Sequence, residues 1–173
     1  MLFAELLELP RDRRTDQLLF ESAKARLPDV PDDVMTQLIV DRGTNEDFQA
    51  LYATLNLARI RWEMRSLPAS ELAAATFFSQ FDDSVNRAVQ RACTVRDGDW
   101  NKVDKRPEII AQWRQSRTWR VPPVFVEHRA LRIKGGLHLM EGHARFGVLL
   151  GLLEIGAIAP DSIHSAWIGT YFE

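Results

Sequence analysis

The chain has 173 residues, 46% of them hydrophobic and 27% charged, with a formal net charge of −2. Composition and length fit one globular domain with at most a small annex, able to bury its core without disulfide or metal staples. No run reaches the ~18 apolar residues of a membrane span, the single cysteine, Cys93, excludes an internal disulfide framework and fits a reducing, cytoplasmic setting, and the acidic balance disfavours a whole-surface attraction to nucleic acid.

The opening stretch MLFAELLELPRDRR interrupts its apolar residues with acids and lacks a basic start, so it does not read as a signal peptide. Residues 1–60 carry 7 Lys/Arg against 11 Asp/Glu, whereas residues 61–173 carry 15 against 13. The pattern changes where the charge does, and a boundary is expected there: a helical arm or cap over 1–57, then an α+β domain over 58–173.

In the first part, Phe3, Leu6, Leu7 and Leu9 form a short amphipathic turn that Pro10 ends. Thr15 is placed to cap a helix whose apolar face is Leu18, Leu19, Ala23 and Leu27. Pro31 opens the next helix, with Asp32 and Asp33 at its positive end, Val34, Met35, Leu38 and Ile39 inward, and Gly43 as its C-cap. Thr44 begins a capping-box-like TNEDF, followed by Phe48, Leu51, Tyr52 and Leu55 at helical spacing. These single-striped helices must pack on something, either the second part or a protein partner.

Next, ARIRWEMRSL alternates Ile60, Trp62 and Met64 with charged residues, the period of a half-buried strand over 59–67. Ser70 is placed to cap a helix reaching Ala75 or Phe78, and residues 80–92 form another with Phe81, Val85, Ala88, Val89 and Ala92 on one side. Residues 93–105 are polar, with an Asp97-Gly98 turn. Pro107 opens a helix with Ile109, Ile110 and Trp113 inward. A strand over 121–128 starts at two prolines, a Gly135-Gly136 turn follows, and residues 137–140 are a second short strand. Glu141-Gly142-His143-Ala144-Arg145 then leads into FGVLLGLLEIG, which is apolar all round and predicts a buried helix ending at Gly156. Residues 163–169 are a last strand.

The strand–EGHAR–helix junction is the candidate site. A strand that turns at a glycine directly into a helix presents unpaired N–H groups and the positive helix end to an anion. Gly142 permits close approach, the amides of His143 and Ala144 cradle a phosphate, and Arg145 can grip it with two donors. Glu141 or His143 is the base or water-orienting group. Arg114 and Arg120 are candidate second phosphate contacts. The competing reading is purely structural: Arg145 pairs with Glu141, and His143 caps the helix. The Arg114, Arg117, Arg120, Trp113 and Trp119 cluster can likewise be an exposed helix face or a nucleic-acid contact. The four histidines show no metal-ligand spacing, so no metal is expected.

The element order, together with PPVFVEHRALRIKGGLHLMEGHARFGVLLGLLEIG, resembles the ParB/sulfiredoxin-like superfamily over roughly 59–173, with a helical insertion at about 72–105. The resemblance implies a small mixed sheet with packed helices and a glycine-led box that binds nucleotide phosphates, here Gly142-His143-Ala144-Arg145, with Mg²⁺ accompanying the nucleotide. ParB proteins usually carry Glu and Arg after the glycine, where this chain has His143 and Ala144. Sulfiredoxins carry a catalytic Cys where His143 stands, which sets sulfinic-acid reduction aside. ParB partition proteins continue into a helix-turn-helix, whereas this sequence ends at Glu173 and reads as a stand-alone unit. The expectation is a domain binding a nucleotide or other phosphate-bearing small molecule at the turn, with hydrolysis or phosphoryl transfer as its chemistry. The alternative is a non-enzymatic adaptor, antitoxin-like or immunity-like protein that engages a protein partner through 1–57.

Overall fold

The computed structural model describes every residue except Arg132, Lys134 and Glu173. The fold is α+β. Its helices, in chain order, are α1 (Phe20–Arg26), α2 (Asp32–Val34), α3 (Glu46–Tyr52), α4 (Ala69–Ala73), α5 (Asp82–Cys93), α6 (Pro107–Ser116), α7 (His128–Leu131) and α8 (His143–Glu154). The strands β1 (Ile60–Pro68), β2 (Val124–Glu127), β3 (Leu137–Glu141) and β4 (Ile163–Tyr171) form one sheet in the order β1-β4-β2-β3. Among the described residues no helix is long and apolar enough to cross a membrane.

Two compact units divide the chain. The first comprises Met1–Glu63, Val126–Gly135 and Trp167–Glu173. A 3-10 turn over Phe3–Glu8 and a π-helical continuation of α2 over Met35–Val40 place Phe3, Leu6, Val34, Met35, Leu38 and Ile39 in its core. The Phe3 and Phe48 rings flank Tyr52 at 6.0 and 5.6 Å. Several local starts differ from the sequence expectation. Asp12 accepts from the Arg14 and Thr15 amides and closes a turn there, so α1 begins at Phe20 and Leu18 pairs with Arg11 in an isolated bridge. Asn45, not Thr44, caps α3, accepting from Phe48 N at 3.1 Å. Gly43 is demanded by closeness, since a Cβ there would stand 2.7 Å from Leu18 Cδ1.

The second unit comprises Met64–Phe125 and Gly136–Ala166. Its centre is α5 packed along α8. Gly147 and Gly151 let the two helices close up, each facing an alanine, Ala88 and Ala92 respectively. The strand expected from Val121 begins at Val124, after both prolines, which lack the N–H a ladder requires. The helix expected from Ser70 is the short α4, and α6 begins at Pro107 as expected. A polar hairpin of 3-10 turns, Thr94–Asp97 and Trp100–Lys102, runs around Gly98 at φ +80°.

Candidate functional site

The sheet-to-helix turn forms where it was expected. β3 ends at Glu141, Gly142 adopts φ +105°, and α8 begins at His143. That left-handed conformation costs an ordinary residue roughly 1–2 kcal/mol, which is why glycine stands there. Phe146 N donates to Gly142 O at 2.9 Å and closes the first turn.

Side chains of the turn fill its concave side. A Cβ on Gly142 would lie 2.7 Å from Pro123 Cβ and 3.0 Å from Arg145 Nη2, so Pro123 and the Arg145 guanidinium both rest on the glycine. Arg145 Nη2 is 3.8 Å from Glu141 Oε1, with the two side chains 24% and 14% exposed. His143 is buried, stacked on Phe81 at 3.9 Å and met edge-on by Phe77 at 6.2 Å. Ala144 is exposed. The structure thus brings Glu141, Gly142 and Arg145 together and turns His143 into the aromatic packing. Arg114 and Arg120 are exposed, and no hydrogen bond or ion pair among the described residues joins either to the turn.

The tryptophans beside those arginines are core residues. Trp113 and Trp119 are buried edge to face at 6.0 Å, and Trp119 Nε1 donates to Ser165 O at 2.6 Å, so neither offers a face to a nucleobase. His138 is buried with Nδ1 3.0 Å from Thr76 Oγ1. His164 is buried between Thr118 Oγ1 at 2.9 Å and Ser162 Oγ at 3.1 Å, and burial pushes its pKa below the ordinary imidazole value. Cys93 Sγ lies 3.9 Å from Gly151 O, and burial, with the Glu154 carboxylate adding to it, pushes the thiol pKa up. Among the described residues no three His, Cys, Asp or Glu gather as a metal cage.

A concavity the sequence did not signal lies in the second unit. Arg91, Asn101, Lys102, Asp104, Lys105, Arg106 and Ile110 line a cleft of about 840 Å³. Arg106 clasps Asp104 with two 3.0 Å hydrogen bonds, and this fork holds the Asp104 carboxyl below the usual carboxylate range. Lys102 pairs with Asp99 at 3.2 Å, and Arg91 Nε donates to Val103 O at 3.4 Å. Lys105 is exposed and carries no ion pair among the described residues. In sequence this stretch is an ordinary polar loop. Only the return of the 99–106 loop toward α5 sets Arg91 beside residues more than ten positions later, and no local periodicity encodes that.

A scan against models of known protein families, a search of curated proteins and a search of solved structures each find nothing that matches this chain.

Proposed function

We propose that this chain binds a phosphate-bearing small molecule of nucleotide size in the cleft lined by Arg91, Lys102, Lys105 and Arg106. One observation carries the reading: four cationic side chains, two of them paired with Asp104 and Asp99, line one concavity of about 840 Å³, within the usual size of a small-molecule site. Asp104 holds the Arg106 guanidinium in a fixed plane, which pre-orients its outer edge for phosphate oxygens. Ile110 and the aliphatic stems of the cations supply an apolar wall for the rest of the ligand. The EGHAR turn takes the same class of ligand less readily. A phosphate there must lift Arg145 off Gly142 and meet the Glu141 carboxylate beside it. Magnesium would arrive on the ligand's own phosphates, in keeping with the ion's preference for phosphate and water oxygens.

Calorimetric titration with ATP, with and without Mg²⁺, and with adenosine as the uncharged control, tests this. ATP binds, adenosine does not, and the affinity falls as salt rises. Lys105→Ala and Arg91→Ala each weaken it about tenfold, a change of ~1.4 kcal/mol, while Arg145→Ala leaves it unchanged. Absence of ATP binding refutes the proposal. Loss of binding in Arg145→Ala with the cleft variants unaffected returns the ligand to the turn.

A further inference from the structure

We infer a second, smaller anion site in the first unit, where Arg59, Arg129 and Tyr171 converge on a cleft of about 370 Å³ that takes a small oxyanion, the phosphate or carboxylate end of a metabolite. Thr54 and Asn56 complete its polar wall, and Leu2 and Ala130 its apolar one. Among the described residues, none that lines it is acidic. That absence of neutralisation is unusual for its surroundings, because residues 1–60 hold 11 carboxylates against 7 basic side chains. Two arginines that line one hollow repel each other, and an anion held between them relieves that repulsion.

Hydrogen-bond directions point the same way. Arg59 Nη1 donates to Tyr171 Oη at 3.2 Å, and its guanidinium lies 5.8 Å from the centre of the tyrosine ring. The phenol oxygen therefore accepts from Arg59 and keeps its own O–H to donate. Phe172 N donates to Arg59 O at 3.1 Å, so the backbone holds the pair in register before any ligand arrives. Guanidinium, phenol and a second guanidinium then offer donors only, the complement of an oxyanion, with the Asn56 amide and the Thr54 hydroxyl at the margin.

Two-dimensional amide NMR on the full chain, titrated with inorganic phosphate and separately with acetate, tests the site. Phosphate gives saturable shifts confined to residues 54–59, 129–130 and 171, and the acetate arm tells whether a flat carboxylate suffices. Arg129→Gln alters an exposed side chain and keeps the parent melting temperature, yet weakens phosphate about tenfold. Tyr171→Phe keeps the ring beneath Arg59 and weakens it less. Lys105→Ala leaves these shifts unchanged, which separates this site from the larger cleft. Absence of shifts at these amides with either anion, or an unchanged affinity in Arg129→Gln, overturns the inference.

Discussion

Replacing Gly147 with alanine sets a methyl group against a stretch of α5 backbone that has little room to retreat. The new Cβ would stand 2.5 Å from Val85 O and 2.7 Å from Ala88 Cβ, where carbon atoms normally settle at about 3.5–4.0 Å. Two effects oppose each other. Alanine is favoured over glycine inside a helix by about 1 kcal/mol, and overpacking a filled core costs about 1–3 kcal/mol. Relief requires α5 to move away by roughly 1 Å, and that movement opens gaps beside Val85, Ala88 and Ala92, all buried. Packing wins because the nearest obstacle is a main-chain carbonyl, so a net loss of about 1–2 kcal/mol is expected, or a melting temperature lower by about 2–8 °C. Gly151 faces Val89 O at 2.6 Å and Ala92 Cβ at 2.7 Å, so the same retreat of α5 accommodates both methyls. The Gly147→Ala/Gly151→Ala double variant should therefore lose less than the sum of the singles. Urea unfolding followed by circular dichroism measures all three. A Gly147→Ala protein as stable as the parent, or strictly additive losses, would refute the close α5–α8 packing.

Other expectations rest on separate observations. Ser162 Oγ gives its proton to Ala159 O and so accepts from His164 Nε2–H, leaving Nδ1 to accept from Thr118. The folded protein thus holds His164 neutral, with its pKa depressed by burial. Its contribution to stability is complete above the ordinary imidazole pKa of about 6.5 and drains away as pH falls toward the lower folded value; melts across that range should steepen in the wild type and flatten in His164→Gln. Trp62→Phe removes a buried indole N–H with no hydrogen-bond partner among the described residues, and Trp119→Phe removes one bonded to Ser165 O at 2.6 Å. The second should cost about 1–3 kcal/mol more than the first in urea unfolding, and equal losses would contradict the assignment of those donors. Gly142→Ala must hold a left-handed backbone and press on Pro123 Cβ at 2.7 Å. A loss of at least about 1–2 kcal/mol is expected in thermal melts, and an unaffected melt would mean the turn relaxes to another conformation.

Sequence alone was enough for the pieces whose signal is local. The alternation in ARIRWEMRSL, the one-sided apolar pattern of residues 80–92, the proline at the start of α6 and the all-round apolar run of α8 each declare an element, because helix and strand periods impose their own spacing on burial. The glycine turn between β3 and α8 was legible as the point where one period gives way to the other, while its left-handed backbone appeared only in the fold. Where a side chain could satisfy the backbone in two ways, as at Asp12 against Thr15 or Asn45 against Thr44, local competition shifted the helix start by one residue or several. What lay wholly beyond the sequence was proximity between distant segments. The strand order β1-β4-β2-β3, the fold of Arg145 onto Gly142 with Pro123 behind it, and the gathering of cations in the two clefts depend on chain reversals that set the final neighbours. Charge at a site sums over what is near in space, and Arg59, Arg129 and Tyr171 are neighbours only once the chain has folded.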